Sequence, residues 1–280
     1  MKERIHSFDL IRAVCAWVIV ITHYGFSCMQ VPENSDMSRV VYHANGRWGE
    51  ITVVAVFFMI SGASLYYNHS DLGFKDLPKY YWSRFKGIFP MFYMLWAFLH
   101  YQRVLAFHAF FYKGVKWTML LTLFGMDGYL NYKHPDDYYI IGEWFLGALV
   151  LLYLIYPLLT VFRKSVKRPG SVLTVFMKKC RWVFSALLAL AFASLYFKHY
   201  FMIDETRNLI VCITNMWLGM LFIEYREFLS QTIFAAVFGV LFVFFVFVPV
   251  PMPNTITMII MAIGLLLVLN KIATPVMSLK

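Results

Sequence analysis

Residues 8–28 read FDLIRAVCAWVIVITHYGFSC, an apolar run that nevertheless carries Asp9, Arg12 and His23. A helix rises about 1.5 Å per residue, so about 20 such residues cross the roughly 30 Å of hydrocarbon in a bilayer. The ionisable residues inside the run, and the lack of a small-residue cleavage pattern after it, argue against a removable signal peptide. We therefore predict that the run stays in the protein as its first membrane helix.

Runs of the same character recur along the chain. After the first they cover 50–67, 88–101, 140–162, 182–200, 207–224, 231–248 and 255–270, with a weaker run over 104–124. Hydrophobic residues make up 61% of the chain and charged residues 14%, whereas soluble domains are about 45–50% apolar. The pattern predicts an all-α integral membrane protein, a polytopic bundle of about eight or nine transmembrane helices forming a single domain over residues 1–280.

The basic residues predict the orientation of this bundle. The formal charge is +10, and Lys and Arg concentrate beside apolar runs, at the N-terminus and in the segments 75–86 and 163–181. Cytoplasmic loops carry such an excess, so we expect a cytoplasmic N-terminus in a multi-pass protein of the plasma membrane. The expected partners of the basic residues are membrane lipids, not nucleic acid. We expect the segments that are poorer in Lys and Arg to face outward: 29–48, 125–139, 201–206 and 249–254. A full membrane crossing by 104–124 would break this alternation of sides, which favours a re-entrant or interfacial segment there.

The sequence lacks the patterns that are typical of several other kinds of site. The four cysteines lie at or inside apolar segments without paired spacing, which favours small apolar side chains over disulfides or zinc ligands. The chain has no HExxH, Walker lysine loop, GxSxG or dinucleotide-binding glycine loop. We therefore expect no metal site.

The first helix carries the strongest candidate site. At 100° per residue Arg12 and His23 share one face, about 16 Å apart along the axis, and Asp9 lies three residues before Arg12 on the same stripe. Ionisable groups in a membrane span cost roughly 2.5–3.5 kcal/mol each, so they are functional candidates. The alternative is that Asp9 and Arg12 mark the cytoplasmic end of the helix and that His23 packs between helices.

Three further motifs follow, each with a structural alternative. Ser61 and Gly62 interrupt an apolar helix after Phe57 and Phe58, where small residues commonly serve helix packing. Residues 80–90, YYWSRFKGIFP, place Arg84 and Lys86 at a helix start, where they could grip phosphates or only anchor the helix. Residues 142–146, GEWFL, open another helix with Glu143 and Trp144, which could also be an interface anchor.

Together, in this order, these motifs resemble the membrane acyltransferase 3 family, whose members move acyl groups, usually acetyl, onto carbohydrate hydroxyls. Arg12 and His23 match its Arg and His separated by ten residues, and residues 57–62 match its Phe-Phe-x-x-Ser-Gly element. Residues 143–159 are similar to the pattern of the family's envelope polysaccharide acetyltransferases. Two departures are Gly87 at the second Arg of an RxxR element, and the lack of the family's Ser-Tyr-x-x-Tyr-Leu-x-His ending before Lys280, from which we expect a chain without the last helix.

The resemblance implies roles for the candidate residues. Acetyl coenzyme A would be the donor and an envelope carbohydrate the acceptor, with His23 as general base and Arg12 and Asp9 completing the catalytic group. The donor-binding residues would be Arg84, Lys86 and Ser61, and the acceptor-binding residues Glu143, Trp144 and Tyr153. Two rival interpretations stay open: a transporter or flippase that uses Asp9, Arg12 and His23 as a substrate or proton path, and a non-catalytic membrane subunit.

Overall fold

The computed structural model describes residues 4–29, 47–112, 115–138, 140–141, 144–167, 207–248 and 254–277. All regular structure in those ranges is helical, which confirms the all-α prediction. In chain order the helices are α1 (His6–Met29), α2 (Thr52–His69), α3 (Leu77–Phe107), α4 (Met119–Leu123), α5 (Asp127–Leu130), α6 (Trp144–Lys167), α7 (Leu209–Glu224), α8 (Arg226–Leu229), α9 (Thr232–Phe247) and α10 (Asn254–Met277).

Four of the described helices are long and apolar enough to cross a membrane. They are His6–Gly25, Gly49–His69, Trp144–Lys164 and Thr255–Thr274, and α7 and α9 are shorter apolar helices. The predicted run 182–200 lies outside the described residues, so the total of eight or nine spans and the cytoplasmic N-terminus remain predictions. Four described helices are therefore candidate membrane spans by length and composition, and α3, which contains the predicted run 88–101, is not among them.

Two boundaries differ from those predicted. The run 88–101 lies inside α3, which begins at Leu77 and therefore includes Lys79, Arg84 and Lys86 of the basic segment 75–86. The weak run 104–124 is not one helix, because α3 ends at Phe107, His108 follows in the left-handed conformation with φ 51°, and only the short α4 lies near its other end. A continuous crossing by 104–124 is thus absent from what the structure describes of this segment.

The chain divides into two compact units, Met1–His69 with Val175–Lys280, and Ser70–Thr174. In the first unit α2 and α7 meet at two glycines. A Cβ added to Gly62 would overlap the carbonyl oxygen of Met216, and one added to Gly219 would overlap that of Met59. Reciprocal glycines let the two backbones touch, as small residues do between membrane helices.

The other helices of the first unit pack around this pair. The α1 helix contacts α2 and α10, and α9 contacts α10. Ser7 Oγ of α1 donates a 3.0 Å hydrogen bond to Asn270 Oδ1 of α10, and both residues are buried. The opposite face of α9 exposes a helical stripe of large apolar side chains, as expected of a surface in contact with lipid: Ile233, Val237, Val240, Val243, Phe244 and Phe247.

In the second unit, α5 packs closely against α6 beside a tight turn. Gly125 has φ +65°, a left-handed conformation that favours glycine. A Cβ on Gly147 would lie 2.6 Å from Tyr129 Cβ, so α6 approaches α5 closely at this glycine. The expected loop 163–181 does not begin at Arg163: α6 continues to Lys167, and Arg163 is only 2% exposed within it.

Candidate active site

Arg12 is held in place from two sides. Its Nη1 donates a 3.2 Å hydrogen bond to Asp9 Oδ1, and its Nη2 donates a 2.8 Å hydrogen bond to Ser64 Oγ of α2. The pair with Asp9 has the i, i+3 geometry that the sequence predicts. Because guanidinium is planar with fixed donor directions, two acceptors on different helices fix its orientation.

Asp9 lies between two arginines. Arg4 Nε donates a 2.8 Å hydrogen bond to Asp9 Oδ2, while Arg12 binds the other carboxylate oxygen. Asp9 raises the pKa of Arg4, chiefly through this hydrogen bond. Among the described residues, Arg4 and Arg12 place two positive charges beside the one negative charge of Asp9, which suits an anionic ligand near Arg12.

His23 lies on the same helix, about 16 Å from Arg12 along the axis. Its side chain is exposed, whereas Phe8, Ile11, Cys15 and Thr22 form the buried stripe of α1. The stripe containing Asp9, Arg12 and His23 therefore borders the packed face of the helix, and His23 is accessible to a substrate.

The two residues of the Ser-Gly element of α2 differ in their surroundings. Gly62 permits the close approach to α7, which supports the structural interpretation of this residue. Ser61 is half-buried. The serine that binds Arg12 is Ser64, one turn further along. Sequence reasoning missed Ser64, although its spacing of three from Ser61 places both on one side of α2.

The basic cluster lies within α3 of the second unit. Arg84 is half-buried with Nε donating to Ser83 Oγ at 3.3 Å, and Lys86 is exposed. Nothing lies within 4 Å of a Cβ added to Gly87. The position where the acyltransferase 3 pattern has its second arginine is therefore open space on this helix.

The tyrosines that precede Arg84 bind carbonyl groups of α6. Tyr80 Oη donates to the carbonyl oxygen of Tyr153 at 3.2 Å, and Tyr81 Oη donates to that of Leu154 at 3.3 Å. Pro157 of α6 has no N–H, so the carbonyl four residues earlier, that of Tyr153, lacks its helical donor. Tyr80 supplies this donor. Pro157 was the sequence signal that could have identified the contact.

Two of the remaining expected residues, Trp144 and Tyr153, lie in α6. Trp144, at its first position, is 6% exposed. The side chain of Tyr153 is half-buried, and its carbonyl accepts the bond from Tyr80. Glu143 lies outside the described residues. Trp144 therefore has less side-chain surface to offer a ligand than Tyr153.

His100 is a further buried polar residue that sequence reasoning missed. It is 5% exposed and lies among aromatic rings, stacked on Trp96 with ring centroids 4.5 Å apart and edge-on to Tyr138 at 5.8 Å. Neither of its ring nitrogens has a hydrogen-bond partner in the structure. His100 belongs to α3. In the sequence it is a single His within an aromatic run, without a distinctive spacing to other polar residues.

Metal binding and thiol chemistry depend on where His, Cys, Asp and Glu side chains lie. Across the described ranges no three His, Cys, Asp or Glu side chains group as metal ligands. Cys15 and Cys212 are buried free thiols, as expected for small apolar side chains. Among the described cations, Arg12 is held by two hydrogen-bond partners, Asp9 and Ser64.

Comparison with known proteins agrees with the motifs. A family model described as an acyltransferase domain, that of the acyltransferase 3 family, matches residues 5–280. The chain belongs to this family and is a membrane acyltransferase. No curated protein and no solved structure matches it.

Proposed function

We propose that this acyltransferase moves an acetyl group from cytoplasmic acetyl coenzyme A to a hydroxyl of an envelope carbohydrate, as a multi-pass protein of the plasma membrane. The observation that carries the proposal is Arg12, fixed by Asp9 and Ser64 on the same helix as an exposed His23, in a chain of the acyltransferase 3 family. With the N-terminus in the cytoplasm, Arg12 lies near the donor side and His23 lies further toward the acceptor side.

His23 acts as the general base in this proposal. The acceptor hydroxyl gives its proton to an imidazole nitrogen while its oxygen attacks the thioester carbonyl carbon. The carbon–sulfur bond then breaks, and the thiolate of coenzyme A takes up the proton. The exposure of His23 supports this role, because a hydroxyl must reach the ring directly.

The cations bind the donor. Arg12 and Ser61 of the first unit are proposed to bind the donor, and Arg84 and Lys86 of the second unit are each proposed for the same role, because cations bind phosphates. The excess of positive charge around Asp9 supports this for Arg12. Glu143, Trp144 and Tyr153 are proposed for the acceptor, with Tyr153 favoured over the buried Trp144 by its accessible surface.

The test is release of free coenzyme A from acetyl coenzyme A by the purified chain in the presence of envelope polysaccharide. We expect release by the wild type, and loss of about 100-fold or more in His23→Ala if the histidine supplies base catalysis. Arg12→Ala should also abolish most release. His6→Ala, at the exposed start of the same helix, is the matched control and should retain it.

Two results would contradict the proposal. Release of coenzyme A by His23→Ala at the wild-type rate would show that His23 is not the general base. Absence of release from folded wild type, together with movement of a glycan across the membrane, would support the transporter interpretation.

A further inference from the structure

The chain of the second unit reverses its direction after the left-handed residue that ends α3. The rings of Phe110 and Tyr112 lie against His100, with centroid distances of 5.1 and 5.3 Å. Both residues follow α3 in the sequence, yet they contact a residue about two turns before its end. The chain therefore turns back along α3 in a first limb, which the structure describes over 109–112 and 115–125.

Further contacts of the first limb continue toward the start of α3. Tyr93 Oη donates a hydrogen bond to the carbonyl oxygen of Leu123. A Cβ added to Gly125 would lie 3.5 Å from a ring carbon of Phe89. His100 and Phe89 are about 16 Å apart along the axis of α3. The first limb therefore runs antiparallel to α3 over about three turns.

A second limb, residues 126–138, returns toward the end of α3. Trp96 Nε1 donates a 3.2 Å hydrogen bond to the carbonyl oxygen of Tyr138, whose ring lies edge-on to His100 at a centroid distance of 5.8 Å. Tyr138 is thus back at the level of α3 at which the first limb begins. The two limbs form a hairpin that begins and ends at one level, with Gly125 at its turn.

The turn of the hairpin lies at the start of a candidate membrane span. A Cβ added to Gly125 would lie 2.9 Å from Leu146 Cδ2, and one added to Gly147 would lie 2.6 Å from Tyr129 Cβ. Leu146 and Gly147 belong to the first turn of Trp144–Lys164, the part of α6 that is long and apolar enough to cross a membrane. The turn therefore reaches one boundary of the hydrocarbon.

The first limb has polar side chains inside and apolar side chains outside. In its helical turns Thr118 and Thr122 are only 1% and 3% exposed. The residues exposed on the other face are large and apolar, with exposed fractions between 51% and 64%: Trp117, Leu120, Leu123 and Phe124. A loop in water has the opposite arrangement, because polar groups face the solvent. An apolar face at the boundary of the hydrocarbon indicates contact with lipid.

Side chains of α3 also provide hydrogen bonds to the backbone of the hairpin. Leu123 ends α4, so its carbonyl is one of those that lack a partner within their own helix. Tyr93 binds this carbonyl, and Trp96 binds that of Tyr138. Backbone outside regular helices is tolerated at membrane depth only where other groups of the protein satisfy it. These two donors therefore suit a hairpin that lies within a leaflet.

We propose that this hairpin is re-entrant: it enters the leaflet at which α3 ends, returns to the same surface without crossing, and places its apolar face against the acyl chains of bilayer lipids. With the predicted cytoplasmic N-terminus this is the outer leaflet. Lys116, exposed at the shallow end of that face with Nζ 5.5 Å from the Phe111 ring centroid, lies at headgroup level and binds lipid phosphate. The surface takes no part in the acetyl transfer proposed above, so each proposal can fail without the other.

One cysteine on each limb tests the path of the chain. Lys116→Cys and Lys133→Cys, at exposed positions of the first and second limb, are treated in cells with a membrane-impermeant maleimide before and after lysis. The unsubstituted chain gives the background from its native cysteines. We expect both variants to react before lysis, because both limbs end at the same surface. Reaction of one variant before lysis and of the other only after lysis would show a crossing and overturn the proposal.

A photoreactive side chain identifies what covers the apolar face. The full-length chain carries p-benzoylphenylalanine at Leu120 or, as a control, at Asp136, an exposed acidic position of the second limb. After irradiation in vesicles of phosphatidylethanolamine and phosphatidylglycerol, the Leu120 variant should gain the mass of one phospholipid, and the Asp136 variant should not. An adduct of two protein chains at Leu120, or no adduct there, would overturn lipid as the partner.

Discussion

Ser64 of α2 and Asp9 of α1 together set the direction of the Arg12 guanidinium. The sequence predicts the Asp9 contact, because both residues lie on one helix and helical spacing fixes their distance. It does not predict the Ser64 contact, because that depends on how α1 packs against α2. Contacts within an element follow from periodicity, whereas contacts between elements require the fold.

Replacement of Ser64 by alanine tests this orientation. Ser64→Ala removes a hydrogen bond to a charged group, which is worth about 1.5–3 kcal/mol at most and less here because the Arg12 side chain is 41% exposed. We expect a higher KM for acetyl coenzyme A with a smaller change in kcat. Ser64→Thr, which keeps the hydroxyl, should restore the wild-type KM, and no recovery in that variant would contradict a hydrogen-bonding role.

Gly87 gives a second test at the residue scale. A side chain there meets nothing within 4 Å, and replacing glycine inside a helix by arginine stabilises it by up to about 1 kcal/mol. Gly87→Arg should therefore fold normally and lower the KM for acetyl coenzyme A by adding a cation near Arg84. Gly87→Gln is the uncharged control, and an equal change in both variants would argue against phosphate binding at this position.

At the scale of the elements, glycines decide how α2 and α7 pack. The sequence favours packing over catalysis for Gly62, and the structure shows the backbone contact with Met216 that requires it. Its counterpart Gly219 was not singled out, because one Gly in an apolar helix has no distinctive pattern. Only the packing of α2 against α7 shows that each glycine faces the backbone of the other helix.

Gly62→Leu should therefore destabilise the protein strongly. Its Cβ would overlap the Met216 carbonyl, which is backbone and cannot rotate away, and overpacking of this kind costs about 1–3 kcal/mol or more. The measurement is reversible unfolding in detergent micelles. Gly87→Leu, in open space, is the matched control, and equal loss of stability in both variants would contradict the packing account.

The contact between α3 and α6 also depends on how two helices pack together. Tyr80→Phe leaves the Tyr153 carbonyl without the donor that Pro157 cannot supply. We expect a cost of about 0.6 kcal/mol, the average for hydrogen bonds between membrane helices, and at most about 1.7 kcal/mol. In a Pro157→Ala background the new N–H reaches that carbonyl, so the cost of Tyr80→Phe should fall.

Tyr81→Phe is the control for this double-mutant cycle. Its acceptor is the carbonyl of Leu154, whose helical donor is the N–H of Leu158 and not a proline. Its cost should change less with Pro157→Ala. Equal coupling of both tyrosines to Pro157 would show that the effect is a general straightening of α6.

For the whole molecule, composition and run length were sufficient to predict a helical membrane protein, because a hydrocarbon core demands long apolar helices. The ends of α3 and α6 were not predicted correctly, since both helices continue through basic residues beyond the apolar run. Hydropathy detects the part of a helix inside the membrane, whereas the helix itself ends where its hydrogen bonds and caps end. The motifs led to the family and include Tyr80, yet the roles of Ser64 and His100 became visible only from packing.

The most direct measurement of the central claim is transfer of radiolabelled acetyl from acetyl coenzyme A to envelope polysaccharide by the purified chain in liposomes. We predict that label enters the polysaccharide as an alkali-labile ester, that His23→Ala and Arg12→Ala abolish the labelling, and that His6→Ala preserves it. Unlabelled polysaccharide with folded wild type, or undiminished labelling with His23→Ala, would contradict the account.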